Sequence, residues 1–244
     1  MVEPHPLAEI RDEGLRVVAA AEEHRVPLRL TGGVAVSLRC PSAAASPLAR
    51  AYKDVDLVGL GRARRAAIDL LTALGYEPDE EFNALQGRTR LLFRDRTNGR
   101  QLDVILDRLE MSHVLDLKDR LLLEPETLTP ADLLLTKLQV VEINERDLKD
   151  ATALIHDHEA LDDRVAQVLA SDWGWWRTAT ENLEKIEAWV ATLPGFEEGK
   201  KRIGGRLAML RRRIEDEPKG LRWRARAKVG DRVRWYELPE EVDQ

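Results

Sequence analysis

Leu30-Thr31-Gly32-Gly33-Val34-Ala35-Val36-Ser37 and Lys53-Asp54-Val55-Asp56-Leu57-Val58 decide how this chain is read, with Asp54 falling 21 positions after Gly33. In the second stretch two carboxylates stand at i and i+2 in a run rich in Val and Leu. If that run is a strand, both project from one face. Neighbouring carboxylates repel, and the pairing is costly unless a cation or several hydrogen bonds compensate it; a divalent metal is the simplest compensation. The first stretch supplies a complement. A glycine pair between an apolar strand and an amphipathic helix leaves backbone N–H groups pointing outward at a helix N-terminus, where phosphate binds. An anion cradle beside a metal clamp predicts a nucleoside triphosphate as ligand.

A third carboxylate comes from further along. Arg88 to Arg94 and Gln101 to Leu106 read as two strands joined through Asn98-Gly99, a strong hairpin signal. Leu102, Val104 and Leu106 alternate with Asp103 and Ile105, so Asp103 is expected on the face opposite the leucines, where it converges with Asp54 and Asp56 if the hairpin pairs with their strand. Gly-Gly after a strand, then Asp-x-Asp, then one Asp on a later strand resembles the nucleotidyltransferase superfamily related to DNA polymerase beta. That resemblance implies a mixed α/β core, two magnesium ions held by Asp54, Asp56 and Asp103, and an NTP substrate from which pyrophosphate leaves.

Composition narrows the classes. The 244 residues suffice for one large or two modest domains with a sizeable core. No run of about 18 apolar residues and no basic-then-apolar leader stands in the sequence, so no membrane partner and a cytoplasmic location are expected. A lone cysteine, Cys40, excludes an intramolecular disulfide framework and reads as a buried thiol. The net charge of −6 hides an asymmetry: residues 200–235 hold 14 Lys or Arg against 4 Asp or Glu, a local +10 that leaves −16 elsewhere. Such a basic end fits contact with a polyanion, and equally a face docked on the acidic body.

Taken in order, apolar spacing predicts a helix over residues 6–24 and a strand over Val26 to Leu30. The stretch from Pro41 to Pro47 reads as an exposed, mobile connection, either a lid or a tolerated insertion. A helix is expected over 62–74, with Arg62, Arg64 and Arg65 near its start, closed by Gly75. Thr129-Pro130-Ala131-Asp132 has the form of a helix start. Lys137 is the only charge in the apolar run that follows; it either snorkels to the surface or is buried beside carboxylates or phosphate. Asp147 and Asp150, at i and i+3, share a helix face on which they could hold Lys137 or Arg146.

With these added, Gly32-Gly33, Arg50-x-x-Lys53-Asp54-x-Asp56, Asp103, Lys137 and Arg146-Asp147-Leu148-x-Asp150 resemble the AbiEii-type nucleotidyltransferases, the toxin half of abortive-infection toxin–antitoxin pairs, over about residues 26–155. Members of that group transfer nucleotides from NTP with magnesium, in some cases onto tRNA ends. The resemblance implies catalytic roles for Asp54, Asp56, Asp103 and Lys137, and nucleotide binding by Gly32, Gly33, Ser37, Lys53, Asp147 and Asp150. It also implies an antitoxin as protein partner. Which of Asp147 and Asp150 matches the family's late aspartate stays open.

The remainder reads as mostly helical. Trp173, Trp175 and Trp176 cluster at a helix start as packing anchors. From Leu221 to Tyr236 cationic and apolar residues alternate about Gly230-Asp231, which predicts a terminal β-hairpin with Arg222, Arg224, Arg226 and Lys228 along one face, a candidate RNA-backbone contact. The expectation is an α/β nucleotidyltransferase core over 1–125 and a helical region over 126–244 ending in that hairpin. An RNA-directed transferase comes first; a small-molecule transferase of the antibiotic-modifying type and a catalytically silent nucleotide- or RNA-binding module are the alternatives.

Overall fold

The computed structural model describes residues 5–237. In chain order the elements are α1 (Ile10–Glu23), β1 (Leu28–Thr31), α2 (Gly32–Arg39), β2 (Val55–Gly59), α3 (Arg64–Ala73), β3 (Glu77–Pro78), α4 (Glu80–Gln86), β4 (Arg90–Asp95), β5 (Arg100–Leu106), β6 (Arg108–Glu110) and β7 (Val114–Asp116). There follow α5 (Pro130–Leu138), α6 (Glu145–Asp157), α7 (Asp162–Ser171), α8 (Trp173–Thr192), α9 (Glu197–Asp216) and α10 (Leu221–Val229). The chain divides into two compact units. One takes residues up to Arg39, Ala51–Leu109 and Asp116–Thr129; the other takes Cys40–Arg50, Glu110–Leu115 and the residues from Pro130 onward.

The first unit is built on a five-stranded mixed sheet in the order β1-β2-β5-β4-β3. Strands β2 and β5 run parallel at its centre, and the other neighbours are antiparallel. The expected hairpin is there: β4 turns into β5 with Asp95 opposite Arg100, and Gly99 takes φ +65 in the turn. Alternation sends Leu57, Leu91, Phe93, Leu102 and Val104 to one side, where none is more than 1% exposed. Each such side chain contributes roughly 1.5–3 kcal/mol when removed from water. A fully buried carboxylate, Glu13, anchors α1 here: the Arg16 Nε lies 2.8 Å away, and the Tyr76 hydroxyl and the Leu7 amide also donate to it. Burial and the adjacent Glu13 push the Tyr76 hydroxyl well above its ordinary value.

The second unit is helical. Leu134, Leu135, Leu138, Leu154, Val165, Leu183, Ile186 and Leu207 form its core. Asn182 closes the C-terminus of α5 by donating to the Leu138 and Val140 carbonyls at 2.9 and 2.8 Å, which satisfies two groups that a helix end leaves without partners. Trp173 and Trp175 are buried at the start of α8, capped by Asp172, as packing anchors should be.

Two sequence expectations change in this unit. Residues 41–47 are exposed at Pro41, Ala44, Ala45 and Ser46, as expected, but they are not a loose insertion: Pro41–Ala44 forms a short 3-10 turn, Ala43 and the following Leu48 are buried, and the Ser42 amide donates to Asp157 at 2.9 Å. The segment therefore packs on α6, its polar backbone paired rather than solvated. Nor do residues 221–236 form a basic hairpin. Leu221–Val229 is the helix α10, and Gly230 closes it at φ +61 with its N–H donating to the Arg226 carbonyl. The physical reason lies in residue type: Leu, Arg, Ala and Lys are strong helix formers, and no β-branched residue appears before Val229. The glycine read as a hairpin turn is a helix cap. At 3.6 residues per turn, Arg222 and Arg226 fall on one side and Arg224 and Lys228 on another, so the expected single cationic row does not exist.

The basic character of α9 has a local answer within the same unit. Arg206 pairs with Glu159 at 2.9 Å, Arg211 with Glu187 at 2.6 Å and Arg213 with Asp163 at 2.7 Å. Of the two readings of the basic end, docking on acidic neighbours is the one these pairs display. No helix among the described residues is long and apolar enough to cross a membrane.

Candidate functional site

Three elements of the first unit set the geometry. Strand β1 ends at Thr31 and α2 begins at Gly32 with no residue between them. The reversal needs a positive φ at the junction, and Gly32 supplies it at +64. The same glycine allows a close approach. A Cβ on residue 32 would lie 2.0 Å from Asp56 Oδ2, so the Asp56 carboxylate is seated against the first turn of α2. A carboxylate is favoured there by the partial positive charge of the helix end.

Asp56 is the second residue of β2, and its Cα partner across the parallel ladder is Asp103 of β5. Neighbouring strands lie about 4.8 Å apart, so directly paired residues present their side chains on the same face. The expected convergence of Asp103 with Asp56 is thus a matter of register. Asp54 and Lys53 precede β2 and are exposed.

A residue that sequence reasoning missed completes the picture. Arg90 of β4 places its Nε 2.6 Å from Asp103 Oδ1, with Asp103 buried beneath it and its charge also acting on Asp56. Burial opposes the Arg90 charge, but the Asp103 hydrogen bond and the two carboxylates more than offset it and raise the guanidinium above its ordinary value. The register held the signal. Leu92 faces Asp103 across β4 and β5, so Arg90, two residues before Leu92, is the same-face diagonal neighbour. Among the described residues no three His, Cys, Asp or Glu side chains are gathered as a metal-binding group. The donor chemistry of Asp54 and Asp56 still fits magnesium, which commonly binds through one or two carboxylates and completes its shell with water and substrate phosphate. Asp103, engaged by Arg90, does not show a vacant third position.

Ser37 departs from the sequence reading, while Lys137 takes the buried one of its two expected placements. Ser37 is buried and its hydroxyl donates to the Val34 carbonyl at 2.7 Å, inside its own helix, so it does not offer itself to phosphate. Lys137, in the second unit, does not snorkel. Its side chain is 12% exposed, and Nζ lies 3.0 Å from Asp147 Oδ1 and 2.9 Å from Asp150 Oδ2. Arg50 clamps Asp150 from another direction through Nε at 2.8 Å and Nη2 at 2.7 Å, a bidentate pair. Burial alone would lower the lysine and raise the aspartate. The charges and hydrogen bonds between them outweigh it, so Lys137 is held above its ordinary value and Asp150 below. Beside this cluster a cavity of about 500 Å³, at the N-terminus of α6, is lined by Arg50, Asn144, Glu145, Arg146 and Lys149.

No protein-family model matches the chain, and no curated protein matches it. Among solved structures, the solution structure of the antibiotic-resistance factor ANT(2'')-Ia aligns over 82% of this chain and 94% of that one, at 15% identity and a TM-score of 0.36. Similarity at that level carries no residue role from one chain to the other.

Proposed function

We propose that the chain is a nucleotidyltransferase that moves a nucleoside monophosphate from NTP to an acceptor hydroxyl. The observation that carries this reading is the seat of Asp56: a carboxylate pressed on the glycine that opens α2, with Asp103 as its partner across the ladder. A helix end offers about half a positive charge, enough for one anion and too little for a carboxylate and a triphosphate together. A divalent cation reconciles them. Asp54 and Asp56 are the residues to hold magnesium, which when bound would neutralise phosphate oxygens and the charge that develops on them. The amides of Gly32 and Gly33 bind the triphosphate at the start of α2. Asp103 keeps lone pairs beyond the one that Arg90 occupies and receives the acceptor's proton. The acceptor oxygen forms its bond to the α-phosphorus as the bond from that phosphorus to the bridging oxygen breaks, and pyrophosphate leaves.

The acceptor is the one the motif resemblance implies, an RNA end, with the toxin role and a neutralising partner as its corollaries. Support for RNA now rests on Arg222, Arg224 and Lys228, which are exposed on α10 but on two sides of it. The test is transfer of label from α-labelled NTP, in magnesium, to tRNA and in parallel to a polyhydroxylated amine. The parent should label one of them and release pyrophosphate. Asp54→Asn and Asp56→Asn should each lose about a thousandfold in rate, roughly 4 kcal/mol of transition-state stabilisation, with unchanged melting curves. Undiminished labelling by either variant would overturn the assignment.

A further inference from the structure

The Arg90–Asp103 pair goes beyond the sequence motifs. Asp103 is buried, and the group lying over it is a guanidinium 2.6 Å away. Arg90 is itself held in place, its guanidinium carbon 5.6 Å from the centre of the Phe82 ring on α4. It is also half exposed, so it rests on Asp103 from the solvent side. Its charge acts on Asp103 and Asp56 together, the two acids the β2–β5 register sets opposite each other. Two acids so placed need a compensating cation. Here the chain supplies one.

We propose that Arg90 stands in for a second metal ion, so that the carboxylate site takes one divalent cation, on Asp54 and Asp56, while Arg90 holds Asp103 in one orientation. This rests on the functional reading above. Arg90 is on this account a positioning residue, acting through Asp103. Its planar fork holds a carboxylate in one orientation, which a lysine does with less geometric control. Removing the guanidinium frees the Asp103 oxygen that Arg90 holds and opens a second oxygen-donor position.

Manganese titration of the full chain, followed by the free-ion electron paramagnetic resonance signal with a non-hydrolysable NTP analogue present, tests this directly. The parent should bind one ion per chain, Arg90→Gln two, and Arg90→Lys one. Asp54→Asn should lose the parent's ion, and the Asp54→Asn, Arg90→Gln double variant should regain one at Asp103. Two ions on the parent, or one on Arg90→Gln, would overturn the role of Arg90 while leaving the functional reading intact, provided Asp54→Asn still loses its ion. No ion on the parent would instead overturn the functional reading and this inference with it. Because Arg90 lies at the surface, Arg90→Gln should melt with the parent; if it does not, the Arg90→Lys stoichiometry decides, two ions there counting against the proposal.

Discussion

Gly32 couples backbone conformation to the chemistry of Asp56. An alanine at this position would have to hold φ +64 and would place its methyl 2.0 Å from a carboxylate oxygen. The backbone strain costs about 1–3 kcal/mol by itself, and the contact forces Asp56 to move. Gly32→Ala should therefore lower stability by at least that amount in denaturant titration and displace Asp56 from its seat. In the Asp56→Ala background the same replacement should cost less, the conformational part plus the 3.0 Å contact with the Cβ that residue 56 keeps. The coupling between the two changes, measured by the double-mutant cycle, should exceed about 0.5 kcal/mol; simple additivity would mean the two residues do not touch.

The clamp between α5 and α6 has two cations and two carboxylates, so its removal is graded. Lys137→Met should destabilise by about 1–3 kcal/mol, the scale of a charged hydrogen bond lost while Arg50 still holds Asp150. Loss of a sole buried partner would cost roughly 3–5 kcal/mol. The pH dependence has a definite sign. Asp150 is held below its ordinary value, so its contribution is present above about pH 3.9 and is lost as pH falls through the folded-state value. Lys137 is held above its ordinary value, so its contribution is full below about pH 10.4 and is lost as pH rises through the folded-state value. Melting curves of parent and variant should be furthest apart between these limits and converge at both ends. Much of the candidate site was legible because its signals are local: a glycine pair after a strand, two acids at i and i+2, a Gly-containing turn that returns Asp103 to the same face. Arg90 was not, since it is a neighbour only through the β4–β5 register, two residues off the pair that alternation singles out. The terminal hairpin failed for another reason. Alternating charge satisfied the strand period while the residues themselves, Leu, Ala, Arg and Lys, favoured a helix, and propensity won where no strand partner was at hand.

Taken along the entire sequence, neither unit is a continuous piece of chain. The second needs Cys40–Arg50, which carries Ala43 and Leu48 into its core and Arg50 onto Asp150. A fragment of residues 110–244, which keeps the unit's Glu110–Leu115, should therefore lack a cooperative unfolding transition. Supplying residues 40–50 through a linker should restore one, in which Arg50→Gln is markedly weaker than Arg50. A sharp transition in the bare fragment would show that the inserted segment is dispensable.

Arg50 and Asp150 stand 100 residues apart in sequence. At roughly 5–20 residues per second, synthesis places about 5–20 s between the emergence of the first and of its partner. Throughout that interval Ala43 has been made but α6, on which its 3-10 turn packs, has not. The Arg50–Asp150 contact thus dates the moment at which a nascent chain becomes able to hide this segment, and holdase chaperones have those seconds in which to find it.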